Sequence, residues 1–600
     1  MRGTKVLVAG AILSLLGGAG FAQDTLSFNV AGGDKDLTEA LRSASLTVGA
    51  TQEAKDEDAA VDAQDLFGSA RADYARLLAA LYDQGFYSPN ISILVNGREA
   101  ANIAPLDAPD AIRSITISVD PGPKFTFSQA DIAPVAKGTE LPDGYKRGQT
   151  ARTSVIRETA QGAVDGWRDA GHAKANVAGQ KITADHRSNT LASSIALAPG
   201  PKVTFGDLTI EGYERMDPRR LRKIAGFPEG EVFDPDELEL VRTRLRRAGV
   251  FSSTTFTEAE TLNPDNSLDY TLGVVENKTR RLGAGIEYET VDGLTLSGYW
   301  MHRNLLGGAE RLRIDAEVSG IGGSSGGTDY SLGARLDRPA TFGADTSAYL
   351  EGGVARLSEE DYDEDTGNLG FGVTQYFSKE ITGELGVKYS FSKVTDDSGN
   401  SYFSQIALPG TLTVDTRDSA TDATGGYYAK LGVTPFVGLN SQTGTGLQAT
   451  GDVRSYYGFG SDDRYVMAGR FQFGSVVGSD LEETPRNYLF YSGGGGTVRG
   501  QPYQSLGVEQ LDNGTLKTGG TEFVGFSGEF RAGITESIGA VAFYDAGYVA
   551  ADGDGDWHSG AGLGLRYKTG IGPIRLDVAG PVDGDTGDGI QLYVGLGQAF

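Results

Sequence analysis

The sequence predicts an α+β array of three repeats followed by an all-β barrel of sixteen antiparallel strands that crosses a membrane. Three observations predict it. Two near-identical heptapeptides mark an internal repeat. Near residue 278, mixed helix-and-strand patterning gives way to alternation. The composition holds 87 glycines, 26 tyrosines and 26 phenylalanines in 600 residues, a glycine share roughly twice the average.

The first element is a leader. Arg2 and Lys5 precede an apolar stretch from Val6 to Leu16, and small residues run from Gly17 to Ala22. This is the pattern of a secretory signal peptide, residues 1–22, cut before Gln23 and set apart from the fold. Beyond it no run of about 18 apolar residues occurs, so a closed sheet is the remaining way to cross a bilayer. The chain has no cysteine, which excludes disulfides, thiolate metal sites and cysteine nucleophiles and suits an oxidising compartment. A net charge of −27 argues against nucleic acid as a partner, because phosphate binding wants a basic face.

The repeats come next. PGPKFTF at Pro121–Phe127 recurs as PGPKVTF at Pro199–Phe205. A second marker, a helix ended by glycine and followed by a short strand, falls at Gly85, Gly171 and Gly249. Tyr74, Leu77, Leu78 and Leu81 have helical spacing before Gly85, as do Leu238, Val241 and Leu245 before Gly249. The expected units are residues 23–122, 123–201 and 202–277, each reading strand, helix, helix, strand, strand.

The barrel is expected over residues 278–600. Segments of about ten residues alternate apolar and polar and are split by Gly, Asp, Asn and Ser. In the closing segment Ile590, Leu592, Val594, Leu596 and Phe600 are expected on the lipid face, and Gln591, Tyr593, Gly595 and Gly597 on the lumenal face. Connections after odd strands collect acidic stretches, such as Ser358–Asn368 and Val582–Gly589, and the longest loop. Long loops belong outside the cell, which puts the repeats in the periplasm.

That longest loop carries GGGGTVRGQPYQ, Gly493–Gln504. Sixteen strands enclose more space than their own side chains fill, so a glycine-rich loop folded into the lumen is the expected plug. Arg499, withdrawn from water there, needs a carboxylate partner. Asp545 in FYDAG is the candidate, on the same strand face as Phe543.

Three strand–helix repeats after a leader resemble POTRA domains. Val498, Arg499 and Gly500 in a long loop, Phe543 and Asp545 in FYDAG, DTRDS at Asp415–Ser419 and the GxxRxDxAxP pattern at Gly572–Pro581 resemble the outer-membrane assembly superfamily that contains BamA and TamA. Three POTRA units rather than five resemble its TamA branch. The resemblance implies that Arg499 engages Phe543 and Asp545 inside the barrel. It departs at Gln501 and Pro502, where the family often has an aromatic, and Tyr503 is the candidate replacement ring. It also implies a TamB-like partner anchored in the inner membrane, unfolded outer-membrane and autotransporter polypeptides as clients, and contact with outer-membrane lipid and lipopolysaccharide. No cofactor or metal is expected, and no nucleotide or bond cleavage. A BamA-like general assembly factor and a two-partner secretion transporter are the alternatives.

Function then requires a weak point in the closed sheet. The first strand, about Arg281–Thr290 with Gly283 and Gly285, must meet the last, Ile590–Phe600. Gly595 and Gly597 near its end weaken the pairing and permit a bend. The seam residues are therefore Gly283, Gly285, Gly595, Gly597 and Phe600. An enzyme reading finds little support: His172, His186, His302 and His558 form no HExxH. GGSSG at Gly322–Gly326 lacks the strand–turn–helix setting of a nucleophile elbow. DGDGD at Asp552–Asp556 has Trp557 and Leu563 where a calcium loop needs Gly and Glu.

Overall fold

The computed structural model describes residues 25–56, 62–290, 292–324, 326–359, 362–397, 399–510, 516–570, 572–584 and 589–600; the expected leader lies outside them. The chain divides into two compact units. One holds the first two repeats as far as Phe205, with Gly230–Pro235 and Pro264–Ser267. The other holds the rest of the third repeat and the barrel.

In the first repeat the sheet order is Thr25–Val30, Ser114–Asp120, Asn90–Val95, Arg98–Glu99, and the first two strands are parallel. Helices Lys35–Ala44, Leu46–Asp56 and Ala63–Asp83 accompany it. Leu77 and Leu81 of the third helix are fully buried in one core with Ile93 and Ile117. Asp62 caps that helix by accepting the N–H of Gln64 at 2.8 Å. Buried Asp73 accepts the Ser45 hydroxyl at 2.6 Å and the Leu46 N–H at 2.7 Å, tying the helices together.

The second repeat departs from the expected order. Its sheet runs Thr126–Ala133, Thr190–Ala198, Asn176–Asp185, and Thr153–Asp169 is its α-helix among the described residues. The place of the other helix is taken by an irregular segment containing Pro134, Gly138, Pro142, Gly144 and Gly148, too many breakers for a helix. The third repeat follows the order in full: Thr204–Glu211, helices Pro218–Ala225 and Pro235–Ala248, then Phe251–Glu258 and Ser267–Glu276.

The recurring heptapeptide has a structural reason. The Phe125 N–H donates to the Gly85 carbonyl at 2.9 Å, and the Val203 N–H donates to the Gly171 carbonyl at 2.8 Å. Each copy of the motif thus bonds back to the glycine that ends the preceding helix. Gly85 has φ +88°, and a Cβ there would lie 2.6 Å from Thr150 Cγ2, so both backbone and space demand glycine.

The second half closes into an antiparallel barrel. Gly399–Ala407 and Gly410–Asp415 pair with the same two neighbours and form one strand interrupted at Pro409, which gives sixteen strands. Leu282, Ile286, Leu332, Leu350, Val354, Phe371, Phe391, Val433, Phe526 and Leu563 are exposed on its outside. Glu364, Gln405, Glu529, Asp545 and Asp577 are buried. An apolar exterior around polar buried positions is what lipid selects. No helix among the described residues is long and apolar enough to cross a membrane.

Two expectations about loops need correction. The acidic stretch at Ser358–Asn368 is mostly strand, since Tyr362–Tyr376 continues the sheet. DGDGD is also mostly strand, with the turn confined to Asp552 and Gly553. Hairpins that outrun the apolar band keep their ladder bonds in water, where exposed residues such as Asp363 and Asp365 cost nothing, while Glu364 between them is buried. The connection at residues 478–521 is long, but several turns on the repeat side, such as 303–310 and 416–424, exceed their counterparts on the other side.

Candidate functional site

The site has two parts: the loop arginine, and the seam between the first strand, Arg280–Glu289, and the last, Gln591–Leu596.

Arg499 is 2% exposed. Alternation along Ile538–Ala551 turns Phe543 and Asp545 to one face, both buried. Arg499 meets Asp545 as a fork, Nε to Oδ2 at 2.7 Å and Nη2 to Oδ1 at 3.0 Å, and its backbone N–H donates to Oδ2 at 3.2 Å. The guanidinium carbon lies 3.5 Å from the Phe543 ring centroid, a stacked cation–π contact. Nη1 reaches two further carboxylates, Glu529 at 2.7 Å and Asp577 at 3.3 Å.

Those partners continue outward. Glu529 Oε2 also accepts from Arg531 Nε at 2.8 Å, and Asp577 also accepts from Arg566. Three buried carboxylates thus face three arginines. Pairing and hydrogen bonding make burial of such charges tolerable. Glu529, Arg531, Arg566 and Asp577 were not singled out as partners of Arg499 by sequence reasoning. Their signal is parity: each sits at an inward position of an alternating strand.

The loop backbone must come close. Gly500 has φ +98°, and a Cβ there would lie 2.6 Å from the Gly580 carbonyl oxygen. Val498 is fully buried. Tyr503 does not supply a ring to Arg499: it is 45% exposed, and Phe543 fills that role. Gln501, at the position where an aromatic was expected, is fully buried and donates through Nε2 to the carbonyls of Ser559 at 3.2 Å and Asp583 at 3.0 Å. An amide anchors the loop where a ring would have packed.

At the seam the ladder is short. Tyr288 pairs with Val594 and Glu289 with Tyr593. Thr290 adds hydrogen bonds to Leu592 through its N–H and hydroxyl. On its other edge the first strand pairs at every residue from Arg280 to Glu289. Arg280–Glu287, including Gly283 and Gly285, has no ladder partner on the seam side among the described residues. Arg575 Nη2 reaches across the gap to Glu287 Oε1 at 2.7 Å. A cavity of about 820 Å³ lies against the first strands, lined by Arg281, Gly283, Tyr299 and Arg313 among others.

The last strand ends early because the chain turns. Gly595 is still in it, but Gly597 has φ +92° and its N–H donates to the Pro573 carbonyl at 2.7 Å. Phe600 therefore corrects the expectation that placed it on the lipid face at the seam. It is buried with Ala423, Tyr456 and Ala468, and its carbonyl accepts from Arg531 Nη2 at 3.0 Å. Arginine and three apolar neighbours hold the ring better than an exposed edge would. The two parts of the site touch directly: the Gly500 N–H donates to the Tyr593 hydroxyl at 2.9 Å, and Tyr593 stands opposite Glu289 at the seam.

His186 contacts Ser88, and His172 contacts the Gly200 carbonyl. Among the described residues no group of His, Asp and Glu has metal-binding geometry; Ser325 of GGSSG lies outside them.

Comparison with known proteins finds likenesses for the barrel and for the third repeat. The Omp85 superfamily domain model matches residues 304–600, and a POTRA model, described as a surface antigen variable number repeat, matches residues 203–277. Among solved structures, the fold is similar to BamA from Haemophilus ducreyi lacking POTRA domains 1–3, at 16% identity over 79% of this chain and 100% of that one, TM-score 0.60. It is also similar to CdiB from Acinetobacter baumannii, at 12% identity over 79% and 90%, TM-score 0.52. Residues 304–600 of the sixteen-stranded barrel, whose lumen seats a loop arginine, are thus similar to the Omp85 superfamily domain, and a segment similar to a POTRA repeat stands ahead of them.

Proposed function

We propose that the chain is an assembly factor of the TamA type, which inserts or exports client β-barrel and autotransporter polypeptides through the seam of its first and last strands. The carrying observation is the seam ladder: Tyr288 with Val594, Glu289 with Tyr593, and an open edge from Arg280 to Glu287. Each backbone hydrogen bond is worth about 1 kcal/mol net, so parting the strands costs a few kcal/mol rather than tens. The exposed N–H and C=O groups of the first strand then template an incoming strand. A client pairs there, folds and leaves sideways into lipid. The Arg499 network holds the loop and, through Gly500 and Tyr593, steadies one side of the gate.

In this reading all three repeats are POTRA domains in the periplasm, where their sheet edges receive clients or a TamB-like partner anchored in the inner membrane. No cofactor and no bond cleavage take part. A two-partner secretion role would send the substrate through the lumen, which the buried fork on Asp545 opposes, since the loop would have to leave first.

The test is a lock. Tyr288 and Val594 are in direct register, and the chain has no cysteine of its own, so Tyr288→Cys with Val594→Cys gives one unambiguous crosslink. The oxidised barrel is expected to stop inserting clients and the reduced barrel to resume. A locked barrel that inserts clients at the normal rate refutes the seam as the site of action.

A further inference from the structure

We propose that the third repeat carries a binding site for the headgroup of an anionic phospholipid in the adjoining leaflet, built from Tyr213, Arg219, Arg222 and Lys223. The proposal rests on the barrel's membrane location and not on client handling.

The chain carries a net charge of −27, so a compact basic surface needs a reason. Helix Pro218–Ala225 holds Arg219, Arg220, Arg222 and Lys223. Arg220 donates to the carbonyls of Pro339 and Ala340, and Lys223 Nζ to the Thr341 carbonyl at 2.8 Å. The Asp217 N–H donates to the Gly307 carbonyl at 2.8 Å. These bonds seat the helix against two barrel turns, 303–310 and 339–345. Leu306 in one turn is 75% exposed, and Phe342 in the other is 74% exposed. Large apolar side chains left bare at strand ends mark the membrane interface. The cations therefore sit at the level where headgroups begin.

Beside the helix lies a groove of about 560 Å³ lined by Ile210, Tyr213, Pro218, Arg219, Arg222 and Lys223. Its far wall is fixed. Glu276 accepts the N–H groups of Glu214, Arg215 and Met216 at 2.8 to 2.9 Å, which pins the turn that carries Tyr213. Burial opposes ionisation of Glu276, but these donors and Arg215 hold its carboxyl below the usual range.

The carboxylates of Asp217 and Glu229 are occupied. Asp217 caps the Arg219 N–H at 2.7 Å, and Glu229 pairs with Arg222 Nη1 at 2.7 Å while Arg222 Nη2 holds the Leu208 carbonyl. The Arg219 guanidinium has no partner in the protein among the described residues. A free guanidinium beside an ammonium and a phenol suits a phosphodiester, which accepts a bidentate fork. An acidic leaflet would add attraction for each cation. Continuity with the lipid-facing band favours a lipid over an acidic peptide.

The full chain is placed in nanodiscs of phosphatidylcholine with or without phosphatidylglycerol, with a photo-crosslinking residue at Ile210, which lines the groove, and no client present. Phosphatidylglycerol adducts are expected in excess of that lipid's share of the bilayer. Arg219→Gln should reduce the excess about fivefold and Arg219→Lys should largely keep it, while heat-modifiable gel migration shows the barrel intact in both. Adducts that follow bulk composition, adducts to polypeptide, or an Arg219→Gln variant with the full excess would each overturn the site. Because clients are absent, failure here is distinct from failure of the assembly reading.

Discussion

At Arg499 one guanidinium meets Asp545, Glu529 and Asp577 while stacking on Phe543. Removing it leaves three buried carboxylates to share Arg531 and Arg566. Breaking a buried pair from one side costs about 3–5 kcal/mol, so Arg499→Ala is expected to lower the barrel's melting temperature strongly and to expose the loop to protease. Arg499→Lys keeps the charge but loses the fork and is expected to fall between. Thermal unfolding followed by gel migration checks both; equal melting of all three forms would remove the arginine from the account. Asp545 was legible in the sequence because FYDAG puts it in phase with Phe543. Glu529 was not, and Asp577 stood in the GxxRxDxAxP pattern without its link to Arg499, because the stagger of neighbouring strands decides which inward side chains share a level. No alternating pattern encodes that stagger.

Among the elements, the last strand carries most of the functional argument. Its lipid face at Leu592, Val594 and Leu596 follows from alternation, and its end does not. The sequence shows Gly597 as a permissive residue, yet only the hydrogen bond to Pro573 shows that the permission is used to turn inward. Phe600 was misplaced for that reason: beyond a left-handed residue, strand parity no longer applies. The second repeat teaches the same lesson, since the repeat pattern suggested a helix across a stretch broken by Pro134, Pro142 and three glycines. Valine at position 597 would resist φ +92° and favour extended backbone. Continuing the observed register would carry it down the open edge toward Gly285. Gly597→Val is therefore expected to protect the amides of Gly283–Glu287 from hydrogen exchange and to slow client insertion. Unchanged exchange there would show that the inward turn is held by residues 598–600 alone.

For the molecule, the proposed gate requires delivery from the repeats, and the third repeat is tied to the barrel by a small charged joint. Asp345, in the turn before the strand Thr346–Ser358, accepts from Arg244 Nη2 at 2.6 Å and Arg247 Nη2 at 2.8 Å, and Arg247 lies 3.7 Å above the Tyr376 ring. Burial pushes the Asp345 carboxyl up, but the two arginines outweigh it and hold its pKa below the ordinary value of 3.8. A carboxylate depressed in the folded state stabilises at every pH above its unfolded pKa of about 3.9 and loses that contribution as pH falls through the folded value. The joint should therefore be indifferent to pH between about 5 and 8 and loosen only below about 4. Asp345→Asn removes the charge at all pH values. Hydrogen bonds to charged groups contribute about 1.5–3 kcal/mol, so this variant at neutral pH should show the faster amide exchange over Pro235–Ala248 that the native chain shows only in acid. If the native joint instead loosened near pH 6, a histidine rather than Asp345 would control it. If Asp345→Asn exchanged like the native chain at neutral pH, the Arg220 and Lys223 bonds to the turn carbonyls would be carrying the joint on their own.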